Sequence, residues 1–235
     1  MMKNKVFVID LDETLIQGQS QKYLIDYLRE IKTISFFRYF NIIAGFLLYK
    51  LSLYKNAAQL LEYSLKNFKG EKEENIYKYV NDFFEMRLRK YYYKYTKEII
   101  ILIQDSGNRI IVLSAVIDPL VKKICEDLNI KEYVSTRLDF NSEGIFTGNI
   151  IDKQNYGSNK LENIKRYLDN HNVDEKDVVI MTDHISDIAL IKYFKNAIVA
   201  NPNRQMKKWS RQNNYPIIYL DNNESLQYIK HYIES

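Results

Sequence analysis

Val6-Phe7-Val8-Ile9-Asp10-Leu11-Asp12-Glu13-Thr14, close to the N-terminus, decides how the rest of the chain is read. Val6 to Ile9 has no polar face, so it is expected to be a strand covered on both sides, as in a parallel sheet. Asp10 follows where that strand leaves the sheet. Open α/β sheets bind ligands at the carboxyl ends of their strands. Asp10 and Asp12 would then share one small site, and neighbouring carboxylates repel unless a proton or a cation separates them. A hard divalent ion with oxygen ligands, such as Mg²⁺, answers that repulsion and draws in a phosphate. The competing reading is an acidic surface turn. Acids placed directly after a buried strand favour the site.

The chain of 235 residues is long enough for one sizeable core, or for a core with an inserted subdomain. Hydrophobic residues at 46% and charged residues at 27% are ordinary for a folded soluble protein. Tyrosine is abundant, with 20 residues concentrated in the first half. The single cysteine, Cys125, excludes an internal disulfide and suits a reducing compartment. The short apolar run after Lys5 ends in carboxylates, which does not fit a signal peptide, so a cytoplasmic location is expected. Net charge is +4, but 14 basic and 8 acidic residues fall between Gly18 and Tyr95, leaving the remainder slightly acidic. This local excess suits an anionic substrate or an anionic membrane surface. It is too dilute for nucleic acid, and no nucleic-acid motif accompanies it.

From Ser20 to Tyr95 the pattern is helical throughout. Tyr23, Leu24, Tyr27, Leu28 and Ile31 form one stripe, and Phe36, Phe37, Phe40, Ile43, Ala44, Leu47, Leu48 and Leu51 a second. Ala57, Leu60, Leu61, Ser64, Leu65 and Phe68 form a third, ended by Gly70, and Ile76, Tyr79, Val80, Phe83, Phe84 and Leu88 a fourth. Residues 18–95 are therefore expected to be a helical cap inserted into a core made of 1–17 and 96–235. Ile34 to Tyr54 is apolar nearly all round, but Arg38, Asn41 and Lys50 interrupt it, which argues against a membrane span. It reads as a buried helix of the bundle, or as a helix lying in a membrane interface at the inner face of the membrane.

After Tyr95 helices and strands alternate, the mark of a parallel α/β sheet. Strands are predicted at Arg109–Leu113, Tyr133–Arg137, Val178–Thr182, Ala197–Ala200 and Ile217–Leu220, with a hairpin over Leu138–Ile151. Asp118-Pro119 is expected to open a helix with Asp as its cap. Further helices are expected from Ser158, over Ile185–Phe194 and at the C-terminus. Three features complete the first site. Ser114 ends the second strand, Lys160 lies in the first turn of the helix from Ser158, and Asp183, with Asp187 four residues on, ends Val178–Thr182.

Taken in that order, Asp10-Leu11-Asp12-Glu13-Thr14, Ser114, Lys160 and Thr182-Asp183-His184-Ile185-Ser186-Asp187 resemble the four motifs of the haloacid dehalogenase-like superfamily of phosphohydrolases. The insertion after the first motif resembles the phosphoserine-phosphatase-like subfamily, as do Ser114-Ala115-Val116-Ile117-Asp118-Pro119, Thr136-Arg137-Leu138-Asp139-Phe140 and the hairpin end Phe146-Thr147-Gly148. The resemblance implies a Rossmann-like parallel core and a Mg²⁺-dependent phosphatase. Asp10 would be the nucleophile forming an aspartyl-phosphate and Asp12 the general acid and base. Thr14, Ser114, Lys160 and the N–H groups of Leu11 and Ala115 would bind phosphate. Asp10, the Asp12 carbonyl and Asp183 would hold Mg²⁺, with Asp187 orienting Asp183 or a metal-bound water. Thr182 stands where the family more often has Gly. His184 either touches substrate or faces solvent. Gln19 stands where phosphoserine phosphatases carry a Glu that recognises the substrate amine, which argues against phosphoserine.

The expected substrate is a small-molecule or lipid phosphate. Phosphotransfer from the same aspartyl-phosphate is a rival, as is a non-catalytic phosphate-binding or membrane-peripheral protein. The sequence leaves the oligomeric state open.

Overall fold

The computed structural model describes residues 5–50, 65–151 and 153–234. Its core is a six-stranded sheet in the order β3-β2-β1-β6-β7-β8, every neighbouring pair parallel. The strands are β1 (Val6–Ile9), β2 (Arg109–Ile117), β3 (Glu132–Thr136), β6 (Val178–Thr182), β7 (Ala197–Ala200) and β8 (Ile217–Ile218). β1 is central and wholly buried, as an unbroken apolar run requires. Phe7 and Ile9 enter the apolar layer on one face, while Val6 and Val8 enter the layer on the other. Helices α4 (Thr96–Asp105), α5 (Asp118–Asp127), α6 (Ser158–Asn170), α7 (Ile188–Phe194), α8 (Arg204–Gln212) and α9 (Asn223–Glu234) flank the sheet. This is the α/β architecture expected.

Between β1 and α4 lie the helices α1 (Ser20–Glu30), α2 (Phe36–Lys50) and α3 (Glu73–Phe83). A π-helical turn, Phe84–Leu88, follows α3 and keeps its apolar stripe in the core. The two strands of chain that connect this insertion to the core lie side by side. Gln17 N–H donates to Tyr91 O at 2.7 Å, and Ile16 bridges Tyr92 in antiparallel fashion. The small hairpin β4 (Leu138–Phe140) and β5 (Phe146–Ile150) provides a second attachment. Gly70 N–H donates to Phe146 O, and Phe146 N–H to Glu71 O, both at 2.9 Å. Gly70, which ends the third stripe, has φ +89°, a conformation that suits glycine. Residues 57–64 of that stripe lie outside the described residues.

Three local expectations change. β2 continues past Ser114 to Ile117, with its register against β3 shifting between Leu113 and Ile117. Asp118 does not cap α5. It lies in the first turn, and its Oδ1 accepts the Leu138 N–H at 2.9 Å, tying the helix to the hairpin instead. The first part of the α2 stripe faces outward, while Ile43 and Ala44 further along it are half-buried. Phe36, Phe37 and Phe40 are 60%, 81% and 62% exposed, whereas Ile42, off that stripe, is buried. Tyr39 donates to Asp26 of α1 at 2.9 Å and fixes this orientation. The part of the Ile34–Tyr54 reading beyond Lys50 lies outside the described residues.

Phe7 is fully buried and meets Tyr232 of α9 edge-on, ring centroids 6.2 Å apart. Phe7→Ala is expected to cost about 3–5 kcal/mol in urea unfolding. A loss below about 1 kcal/mol would contradict the packing described for β1.

Candidate active site

The sheet register brings the candidate residues to one rim. Ile9 lies level with Val112 of β2 and Met181 of β6. Asp10 and Asp183 therefore follow their strands within about a residue of the same height, and Ser114, still within β2, lies level with them. The loop after Asp10 is a tight coil. Thr14, Leu15 and Ile16 N–H groups all donate to Leu11 O, and Glu13 takes φ +58°. Asn201, at the end of β7, donates to Thr14 O at 3.0 Å and holds that coil to the sheet.

At the centre sits a buried ammonium. Lys160 Nζ donates to Asp10 Oδ1 at 2.9 Å and to Asp187 Oδ2 at 3.0 Å. Burial would lower the Lys160 pKa, but the two carboxylates outweigh it and raise it above the ordinary lysine value. Asp187 also accepts from Thr182 Oγ1 at 2.8 Å and from Ser186 Oγ at 3.3 Å. Asp187 thus holds Lys160, and its charge also acts on Asp183. The hydroxyl of Thr182, in place of the family's usual glycine, serves that same carboxylate. His184 is partly exposed and has a local role in the turn. Its Nδ1 accepts the Ser186 N–H at 3.2 Å and lies 2.9 Å from Ser186 Oγ, capping the 3₁₀ turn Ile185–Asp187.

Asp10 and Asp187 share this ammonium, and Asp183 lies near enough to both to feel their charge. Burial pushes Asp10 upward and the charge of Asp187 adds to this, while Lys160 pulls it down; the net direction is up. Asp183, whose Oδ1 accepts from Thr14 Oγ1 at 3.2 Å, is pushed up to about 8 by burial and by the charges of Asp10 and Asp187. Asp12 stands apart, its Oδ1 accepting the Ser20 N–H at the start of α1 at 3.0 Å. Burial pushes it up to about 7 against the pull of Ser20.

Asp10 and Asp183 form a donor set that suits a hard cation, because a positive ion would relieve the repulsion that raises their pKa values. Among the described residues no three His, Cys, Asp or Glu side chains converge as a ready-made metal cage. Mg²⁺ does not require one, since it takes one or two carboxylates and keeps several waters.

Ser114 is buried, and its Oγ accepts the Val116 N–H at 3.2 Å. Ala115 O accepts from Thr136 Oγ1 at 2.8 Å. Both are held beside the rim without a direct hydrogen bond to the other motif residues. Their neighbour Asn155 was not anticipated. It is fully buried, and its Nδ2 donates to Ser114 O at 2.8 Å and to Val134 O at 2.9 Å. Gly157, with φ +58°, then turns the chain into α6, which carries Lys160. Asn155 thereby ties the segment leading to Lys160 to the strand carrying Ser114. No periodicity marks a lone loop asparagine, so only the two adjacent motifs hinted at it.

A family model described as haloacid dehalogenase-like hydrolase matches residues 7–192. The chain belongs to that family. The family member resembles a solved protein of unknown function from Bordetella pertussis Tohama I, with TM-score 0.84, 16% identity, and coverage of 93% of this chain and 100% of that one. It also resembles a phosphoserine phosphatase solved as a phospho-aspartyl intermediate analogue, with TM-score 0.64, 20% identity, and coverage of 97% and 100%. At these identities the likeness is one of fold. A histidinol-phosphatase of Neisseria meningitidis serogroup C (strain 8013) is 21% identical over 118 residues, which is 49% of this chain; the match spans only 53% of that protein's length.

The raised carboxylates make metal-free stability fall with pH. An aspartate whose pKa rises from 3.8 to about 8 on folding binds more protons folded than unfolded between those values. Its contribution is full below about pH 4 and is lost as pH climbs through 8. Asp183→Asn is expected to stabilise the metal-free hydrolase at pH 8 by about 1–2 kcal/mol, roughly 2–8 °C in Tm, and to change little at pH 4. Thermal melts in EDTA at the two pH values check this.

Proposed function

We propose that this hydrolase cleaves small-molecule or lipid phosphomonoesters through an aspartyl-phosphate on Asp10. The observation that carries the reading is the buried Lys160 held at once by Asp10 and Asp187, with Asp12 set separately at the start of α1. Asp10 lies where a nucleophile is needed, and the ammonium beside it favours its charged form and would neutralise an incoming phosphoryl group.

In the first step an Asp10 oxygen attacks phosphorus and the bond to the leaving oxygen breaks. Asp12 gives that oxygen its proton. A carboxyl pushed up to about 7 is substantially protonated in neutral solution, as this step requires. In the second step Asp12, now ionised, takes a proton from water. The resulting nucleophile attacks phosphorus and frees Asp10. Thr14, Ser114, Lys160 and the N–H groups of Leu11 and Ala115 are the proposed phosphate donors. Asp10, the Asp12 carbonyl and Asp183 are the proposed Mg²⁺ ligands, and the ion would supply charge to the transferring phosphoryl oxygens. Asp187 positions Lys160. The structurally similar phosphatase solved as a phospho-aspartyl intermediate analogue supports an aspartyl-phosphate here.

Residues 18–95 are proposed to act as a cap that reads the leaving group and excludes water. Asp12 hydrogen-bonds the first residue of its first helix, which supports a link between the cap and the acid. Gln19 in place of a glutamate disfavours an amine-bearing substrate such as phosphoserine.

Phosphate release from a generic aryl phosphate tests the reading. Activity is expected with Mg²⁺ and not with EDTA, and Asp10→Asn is expected to lose on the order of a thousandfold or more. Turnover that survives in Asp10→Asn, or that proceeds undiminished in EDTA, would overturn it.

A further inference from the structure

We infer that the tip of the α1–α2 hairpin docks onto the surface of an anionic lipid bilayer. The hairpin presents three aromatic side chains that the fold does not use. Phe37 is 81% exposed, and Phe36 and Phe40 are 60% and 62% exposed, with Ile31 beside them in the connecting turn at 41%. Positions 36, 37 and 40 share one face of a helix. The rings of Phe36 and Phe37 meet edge-on at 6.0 Å. Single exposed apolar residues are ordinary, but three neighbouring phenylalanines form a contiguous patch of the kind that marks an interaction surface.

Charge indicates the occupant. From Ile31 to Leu61 the chain has no acidic residue, and it carries Lys32, Arg38, Lys50 and Lys55. The chain as a whole has 30 acids in 235 residues, so about four would be expected in a run of 31. The nearest acids on α1 are already engaged. Glu30 pairs with Arg87 at 2.5 Å, and Asp26 accepts from Lys22 at 2.6 Å and from Tyr39 at 2.9 Å. Arg29 lies over the Phe36 ring at 5.7 Å, so positive charge borders the aromatic patch directly. Aromatic rings flanked by basic residues suit the headgroup boundary of a membrane rich in anionic lipid. A symmetric contact with a second copy would instead bring two like-charged faces together.

The geometry is that of a helix lying on the surface. No helix among the described residues is long and apolar enough to cross a membrane. α2 folds back along α1, whose first residue donates to Asp12, so one hairpin carries both the docking face and a contact with the candidate site. The inference does not depend on the reaction proposed above.

Flotation of the full chain with vesicles tests it. Vesicles of phosphatidylcholine containing phosphatidylglycerol are expected to carry the wild type upward, and pure phosphatidylcholine vesicles to carry much less. High salt should weaken the binding. Phe37→Ser/Phe40→Ser is expected to partition at least about tenfold less, with an unchanged circular dichroism melt, because both rings are solvent-facing. A wild type that stays at the bottom of the gradient overturns the inference. So does a double variant that floats as well as the wild type. So does an aromatic face whose substitution turns a dimer into a monomer without altering vesicle binding.

Discussion

The rest of the structure depends on one buried ammonium shared between two carboxylates. Lys160 lies 150 residues from Asp10 and 27 from Asp187, and it contacts both at about 3 Å. Burying such charges is costly unless geometry and added hydrogen bonds compensate. The hydroxyls of Thr182 and Ser186 supply those bonds to Asp187. The parallel order β2-β1-β6 is what allows the contacts, because it brings residues 10, 114 and 183 to the same rim of the sheet. Asn155, Gly157 and Asn201 hold the loops at that rim. Even so, the cluster is unbalanced, since Asp183 brings a further carboxylate within reach of the charges of Asp10 and Asp187.

That imbalance connects the core to the helical insertion. Asp12 does not share in the lysine and instead accepts the first N–H of α1. A carboxylate at a helix N-terminus is favoured by the orphan N–H groups and the dipole there, yet burial still pushes this one upward. One end of α1 thus meets the acid, while the other end carries the turn to the exposed aromatic face of α2. The antiparallel pairing of Ile16 with Tyr92, the bonds Gly70 N–H to Phe146 O and Phe146 N–H to Glu71 O, and the ion pairs Arg89–Asp127 and Glu85–Lys123 attach the insertion to the core. Movement of the insertion relative to the sheet would have to strain or release one of them.

β1 and the two acids after it were legible because an apolar run ending in carboxylates has few structural explanations. The alternation after Tyr95 gave the parallel sheet for the same physical reason: strands covered on both faces have no polar period. The orientation of α2 was not legible. Its apolar residues surround the helix, so spacing alone does not choose a buried face, and the choice fell to the tertiary bond from Tyr39 to Asp26. Asp118 has the local chemistry of a cap, but a long-range donor, Leu138 N–H, took its carboxylate. The length of β2 beyond Ser114 depends on pairing with β3, a partner some twenty residues away in sequence. Thr182 registered only as a departure from a glycine, whereas its hydroxyl holds the residue that holds Lys160.

The central claim is electrostatic: the cluster of Lys160, Asp10, Asp187 and Asp183 carries more carboxylate than the lysine balances, and a divalent cation would complete it. Calorimetric titration of the metal-free protein with Mg²⁺ near pH 7, repeated in buffers of different ionisation enthalpy, counts the protons displaced. With Asp183 pushed up to about 8 and Asp12 to about 7, binding should release roughly one proton per ion. Release that disappears in Asp183→Asn would assign the proton to that carboxylate. Mg²⁺ binding with no proton released, or no Mg²⁺ binding at all, would contradict the account.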